Sequence, residues 1–139
     1  MTKTTFAVLA LGAAVAFAGP AYAEQFKATL SGKSEVPPTT SAGTGSAALD
    51  YDAASKKLTW KVTYSGLSGP ATAAHFHGPA EAGKNAGVAV PIANAGSSPV
   101  EGSATLTDAQ AADLMAGKLY INFHTAANPA GEIRGQVTK

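Results

Sequence analysis

The chain has 139 residues, no cysteine, one arginine and a formal net charge of +1. The lack of cysteine excludes disulfides, iron–sulfur clusters, cysteine-ligated zinc and a thiol nucleophile. A near-neutral chain also lacks the basic surface with which proteins bind nucleic acid, so we expect no nucleic-acid partner.

The first 23 residues have the pattern of a secretory signal peptide. Lys3 precedes an uncharged apolar run over residues 6–18, and Ala21-Tyr22-Ala23 has the small-residue spacing of a cleavage site. Because the run is too short to cross a bilayer, we expect no membrane span. The sequence therefore predicts a signal peptide over 1–23 and export to the periplasm or the extracellular medium. Residues 24–139 are expected to form one domain.

Apolar and polar residues alternate along most of this domain, with the period of two that is typical of half-buried strands. In the clearest example, Leu58, Trp60 and Val62 alternate with Thr59 and Lys61, which predicts that Trp60 lies in the core. The same pattern predicts further strands over residues 26–31, 44–51, 71–78, 88–92, 100–106, 119–124 and 133–137.

Residues 107–116 carry the one helix signal. Thr107 and Gln110 have the spacing of a capping box, and Gly117 is a typical helix stop. Loops such as residues 78–86 separate the strands, and the βαβ alternation of a parallel sheet is missing. The predicted fold is therefore all-β: an antiparallel β-sandwich or Greek-key barrel of about seven or eight strands, immunoglobulin-like or superoxide-dismutase-like, with one short helix near 107–116.

The three histidines of the chain fall on two predicted strands. His75 and His77 are two residues apart and point to the same face, while Phe76 points to the other. Because Phe123 is expected in the core, His124 faces outward from its own strand. If the two strands are close, three imidazoles converge on an outer sheet face, and imidazole is a good ligand for copper, zinc and nickel. Alternatively, the histidines are polar surface residues held by hydrogen bonds.

The segment 131–135 contains the only arginine. Arg134 could draw an anion toward a nearby metal, and Glu132 lies two residues away on the same predicted face. The simpler expectation is an ion pair between Glu132 and Arg134. Glu35, in the segment 35–38, is interpreted as a turn residue whose carboxylate caps backbone groups. The chain has no nucleophile elbow, triad or phosphate-binding loop, so we predict no catalytic residue.

Four blocks of sequence, in order, resemble the CHRD domain, the module named after chordin and found in many exported bacterial proteins. The blocks lie within residues 26–38, 72–80, 106–120 and 122–136. The resemblance covers nearly all of residues 24–139. It implies an exported β-domain, but it implies less about function, because the family has no well-defined general activity.

The histidine pattern is also similar to the copper half of Cu,Zn superoxide dismutases. That similarity implies that His75, His77 and His124 are copper ligands and that Arg134 guides an anionic substrate. The chain departs from the pattern, because residues 78–100 contain no histidine for a bridging ligand or a zinc site, and no cysteine exists for the disulfide. The similarity therefore implies an open three-histidine copper site at best.

The leading hypothesis is an exported CHRD domain that binds a copper ion through His75, His77 and His124, in copper handling or a redox-linked role. Arg134 and Glu132 would support the ligands or guide an anion. The sequence leaves a fourth ligand open between water and Met115. The alternative is a non-catalytic extracellular or periplasmic module that binds a protein partner and no metal. A third hypothesis is a copper-only enzyme resembling superoxide dismutase.

Overall fold

The structure is a computed structural model that describes residue 12 and residues 23–139. Apart from residues 12 and 23, the predicted signal peptide over 1–23 lies outside the described residues. The described part contains eight strands and one α-helix, α1 (Asp108–Met115). The strands are β1 (Glu24–Ser31), β2 (Thr44–Asp52), β3 (Lys57–Ser65), β4 (Ala71–His77), β5 (Val88–Ile92), β6 (Val100–Thr105), β7 (Tyr120–Thr125) and β8 (Ile133–Gln136).

All neighbouring strands are antiparallel, in the order β5-β4-β7-β8-β1-β2-β3-β6. Four pairs of strands that follow each other in the chain are neighbours in the sheet, and the three other connections join strands that are not neighbours. The sheet curves until its two ends pack together: the rings of Trp60 on β3 and Phe76 on β4 meet edge to face, with 5.0 Å between their centroids. The all-β prediction with one short helix is confirmed.

The alternating apolar residues of these strands form a single core. Trp60 is 4 % exposed, as its position in the strand pattern predicts. Gly102 lies opposite Trp60 in the β3–β6 pair, where a Cβ atom would be only 2.7 Å from the indole ring. Strand β6 therefore approaches the tryptophan closely because residue 102 has no side chain.

Helix α1 begins with the predicted capping box. The Thr107 hydroxyl accepts a hydrogen bond from the Gln110 backbone N–H, and the Gln110 side chain accepts one from the Thr107 N–H. Gly117, just after the helix, has a φ of +73°, which glycine adopts without strain. The Gln110 side chain also donates to the Ala89 carbonyl, which attaches the helix to β5.

Strands β4, β7 and β8 carry a layer of polar and aromatic side chains on the outer side of the sheet, opposite the core. In register, His75 pairs with Asn122 and Asn122 with Arg134, while His77 pairs with Tyr120 and Tyr120 with Gln136. We call this layer the polar face; it comprises His75, His77, Tyr120, Asn122, His124, Arg134 and Gln136. It is largely buried, because residues 78–87 and residues 32–39 fold over it: Asn122 is 3 % exposed and Arg134 is 1 % exposed.

Candidate metal site

The three histidines come together at one end of the polar face. One ring nitrogen from each of His75, His77 and His124 lies within 4.8 Å of one from each of the others. His77 is buried, whereas His75 and His124 are partly exposed, so solvent reaches the cluster from the side of these two residues. The predicted convergence of the three imidazoles is therefore present in the structure.

His75 and His124 make the closest contact within the cluster. His75 Nδ1 lies 3.1 Å from His124 Nε2. The other ring nitrogen of His124, Nδ1, lies 2.9 Å from the Pro129 carbonyl oxygen and donates its proton to it. Because a neutral imidazole has one N–H, this hydrogen bond leaves the lone pair of His124 on Nε2, facing His75.

His77 is held more firmly than the other two histidines. Its Nδ1 lies 3.0 Å from the Ala86 carbonyl oxygen and its Nε2 lies 2.9 Å from Asn122 Oδ1. Its ring stacks on Tyr120, with 4.9 Å between centroids and an interplanar angle of 4°. Burial lowers the pKa of His77, although the hydrogen bonds to Ala86 and Asn122 act in the opposite direction, and burial also lowers the pKa of His75.

Glu35 approaches the polar face from the segment that precedes β2. The residue is 5 % exposed, and burial raises the pKa of its carboxyl to about 7, although the charge of Arg134 and a hydrogen bond from Asn122 lower it. The backbone of Gly131 makes room for this approach, because a Cβ atom there would be 2.5 Å from Glu35 Oε1 and 2.6 Å from Asn122 Nδ2.

The polar face holds the loop over residues 78–87 mainly through backbone groups of the loop. Arg134 donates to the carbonyls of Glu81 and Lys84 and to the side chain of Asn85. The Tyr120 hydroxyl donates to the Ala86 carbonyl and accepts from the Ala86 N–H. Gln136 donates to the carbonyls of Ala80 and Gly117. The guanidinium carbon of Arg134 also lies 3.4 Å from the centre of the Tyr120 ring, a close cation–π contact.

Glu132 and Arg134 do not form the ion pair that the sequence favoured. Glu132 precedes β8 and its carboxylate turns toward the β3–β4 connection, whereas Arg134 turns toward the loop over 78–87. The carboxylate accepts hydrogen bonds from Ser41 Oγ, Ser68 N, Ser68 Oγ, Thr125 Oγ1 and Asn128 Nδ2. Burial alone would raise the pKa of Glu132, but these hydrogen bonds outweigh it and lower the pKa to about 2.

The CHRD domain model matches residues 26–137, which is most of the chain. The chain belongs to the CHRD domain family. No curated protein and no solved structure is similar enough to this CHRD domain to give a match. Within the part of the chain that the structure describes, none of the helices has both the length and the apolar character needed to span a membrane.

Sequence reasoning did not assign a role at the site to Tyr120, Asn122 or Glu35. The first two were detectable, because they alternate with the core residues Ile121 and Phe123 and must share the face of His124. Glu35 gave no such signal, since its position depends on how residues 32–39 fold over the sheet.

Proposed function

We propose that this CHRD domain binds one copper ion through His75, His77 and His124, in a copper-handling or redox-linked role. The observation that carries the proposal is the 3.1 Å separation between His75 Nδ1 and His124 Nε2. Two nitrogens bound to one ion at about 2.0 Å lie roughly 2.8 Å apart at a right angle and roughly 3.3 Å apart at a tetrahedral angle. The two imidazoles therefore already have the spacing of two ligands on one ion.

The surroundings of the cluster favour neutral imidazoles with defined lone pairs. The Pro129 carbonyl fixes the proton of His124 on Nδ1, as carbonyl and carboxylate partners do for histidine ligands in metalloproteins. The Ala86 carbonyl offers the same support to Nδ1 of His77. Only neutral imidazole binds a metal, so the lowered pKa values of His75 and His77 favour binding at neutral pH.

Copper is the metal that fits this donor set best. Divalent copper binds nitrogen ligands more tightly than zinc or nickel in the general order of first-row metals, and the chain offers no cysteine that would favour zinc or an iron–sulfur cluster. We favour copper handling over superoxide dismutation, because the Nη atoms of Arg134 are engaged with residues 81–85 and its side chain is buried.

The test is a titration of the purified protein with Cu(II), Cu(I) and Zn(II), followed by competition with chelators and by the NMR signals of the histidines. We expect one copper per chain, bound with a Kd below micromolar, and a joint shift of all three histidine signals. The triple variant His75→Ala, His77→Ala, His124→Ala should lose at least a hundredfold in copper affinity.

A matched triple variant, Lys27→Ala, Thr59→Ala, Lys61→Ala, changes three exposed residues on other strands and should bind copper as the wild type does. If the histidine variant and this control bind copper equally, the histidine site is wrong. If wild-type protein binds no metal, the copper function itself is wrong.

We also propose that the domain works after export. The sequence of residues 1–23 has the charge, apolar run and cleavage pattern of a signal peptide. Mass spectrometry of the protein recovered from the periplasm or medium should give a chain that begins at Glu24. An uncleaved chain retained in the cytoplasm would contradict this proposal.

A further inference from the structure

Asn122 places an amide oxygen in contact with the histidine cluster. It lies two residues before His124 on β7 and pairs with His75 across β4 and β7. Its Oδ1 is 2.9 Å from His77 Nε2, and the residue is 3 % exposed. A buried amide oxygen that could bind a metal thus belongs to a residue opposite His75, in contact with His77 and two residues from His124.

The amide of Asn122 is fixed in this orientation by the groups on its other side. Nδ2 donates to the Ala130 carbonyl oxygen at 3.5 Å, and the carboxyl of Glu35 lies near Nδ2 beside Gly131. Turning the amide over would place Oδ1 against these oxygens and leave the acceptors without a donor. The Ala130 carbonyl therefore favours the orientation in which the oxygen is on the side of the histidines.

The contact between Asn122 and His77 has a chemical mismatch that a cation relieves. A neutral His77 that donates its one N–H to the Ala86 carbonyl presents a lone pair at Nε2. That lone pair faces the lone pairs of Asn122 Oδ1 across 2.9 Å, which is unfavourable unless a metal ion lies beside both atoms or a second proton on His77 makes Nε2 a donor. The same separation is the one expected for two donor atoms on a single ion.

We propose that Asn122 Oδ1 is the fourth donor atom of the metal site, in place of water or Met115. This inference rests on the proposed copper function. Three imidazole nitrogens and one amide oxygen form a harder donor set than one that includes a thioether, and Cu(I) is selected by soft sulfur ligands. The site therefore favours Cu(II) over Cu(I), and Asn122 contributes to that preference.

The experiment measures Cu(II) and Cu(I) affinities by chelator competition for wild-type protein, Asn122→Leu and Asn122→Asp, together with the EPR spectrum of each Cu(II) form. Loss of one supporting or ligating group changes metal affinity about tenfold to a hundredfold. We expect Asn122→Leu to lose at least tenfold in Cu(II) affinity, with altered EPR parameters, and to keep its Cu(I) affinity within about threefold.

Asn122→Asp retains an oxygen donor and should keep its Cu(II) affinity, with an EPR spectrum that reports the new charge. The control is Gln25→Leu, which replaces an exposed side-chain amide on β1 with the same apolar residue. This control should have the same Cu(II) affinity and the same Cu(I) affinity as the wild type.

The outcomes separate the two proposals. If wild-type protein binds no copper, both are overturned. If wild-type and Asn122→Leu bind Cu(II) with equal affinity and the same EPR spectrum, only the fourth donor is overturned. If Asn122→Leu does not fold, the side-chain carbonyl carbon signal of Asn122 in wild-type protein is followed by NMR during a titration with diamagnetic Zn(II), and a signal that does not move overturns the fourth donor.

Discussion

Glu132 is a buried carboxylate that is stabilised by neutral donors instead of by a cation. Hydroxyl, backbone and amide donors from four separate residues surround it, and it is 0 % exposed. Because those residues precede β2, connect β3 to β4 and lie at the end of β7 or just after it, one side chain holds together three parts of the chain. These donors stabilise the charged form of Glu132. Removing the acceptor would leave buried donors without a partner and would lower the free energy of unfolding.

The first prediction concerns Glu132→Gln. An amide at this position turns an N–H group toward donors that need an acceptor, so the free energy of unfolding should fall by about 3 kcal/mol. Urea unfolding at pH 7 measures the free energy of unfolding of the wild type and the variant. Glu101→Gln removes an exposed carboxylate on β6 whose distance of 3.9 Å from Lys61 Nζ makes a weak ion pair. It should lower the free energy of unfolding by less than about 0.5 kcal/mol. Equal losses in the two variants would show that the donors around Glu132 contribute nothing.

The second prediction concerns the cost of a side chain at Gly131. Gly131 has a φ of +129° and its missing Cβ faces Glu35 and Asn122, whereas Gly83 has a φ of +83° and open space around it. Alanine at a left-handed position costs about 1–2 kcal/mol from the backbone alone. Gly131→Ala should therefore destabilise the protein by at least about 1 kcal/mol more than Gly83→Ala, since its methyl group also meets buried polar atoms. Thermal or urea unfolding of both variants gives the difference, and equal costs would contradict the crowding.

Among the structural elements, the loop over residues 78–87 is distinctive because it has no regular structure and is held by side chains of the sheet beneath it. Arg134 makes three of these hydrogen bonds through its fork of N–H groups, more than any other side chain of the sheet. Lysine carries the same charge but lacks the planar fork. The geometry of Arg134, more than its charge, should keep the loop closed over His77.

The third prediction concerns the loop over residues 78–87 in the variants Arg134→Lys and Arg134→Met. Both should speed hydrogen exchange of the Lys84 and Ala86 amides about tenfold or more, because hydrogen bonds to a charged group contribute about 1.5–3 kcal/mol. NMR exchange measurements test this. Lys27→Met, which removes an exposed charge on β1, should leave these amides unchanged. Full protection of both amides in Arg134→Lys would show that the charge alone holds the loop.

Most of the elements could be predicted from the sequence because their signals are local. The alternation around Trp60 and the capping box of Thr107 depend on residues within one turn or one strand, and both are present in the structure. The shared outward face of the three histidines was also predictable from strand alternation, whereas their convergence depends on the pairing of β4 with β7, which the sequence left open.

The partners of Glu132, Arg134 and Glu35 could not be predicted in the same way. Two of these side chains bind backbone groups or small hydroxyl residues from distant loops, and such acceptors and donors carry no pattern in the sequence. The expected ion pair between Glu132 and Arg134 was wrong for this reason: spacing of two suggested a shared face, but Glu132 lies in the bend before β8 and Arg134 lies within β8, and each binds a different loop.

For the whole molecule, Glu35 and Glu132 give opposite dependences of stability on pH. The pKa of Glu132 is lowered to about 2, so its contribution is present above pH 4.5 and is lost as the pH falls toward 2. The pKa of Glu35 is raised to about 7, so the favourable contribution of its protonated form is present below pH 4.5 and is lost as the pH rises through 7.

The fourth prediction isolates Glu35. Glu35→Gln mimics the protonated carboxyl, so it should match wild-type stability at pH 4.5 and exceed it at pH 8, by up to about 3 kcal/mol. The titration of the histidines affects both proteins and cancels in the difference. Urea unfolding of the pair from pH 4 to 8 measures the curve, and a difference that does not change with pH would contradict the raised pKa.

The two ends of the folded domain meet at one point. Thr138 pairs with Lys27 beside β1, and Lys139 Nζ lies 3.0 Å from Glu24 Oε2. A domain with adjacent ends can be placed inside a loop of another protein without stretching the host. For the same reason a short linker from Lys139 to Glu24, with new ends opened in the exposed turn over residues 53–55, should give a circular permutant that keeps the native sheet order.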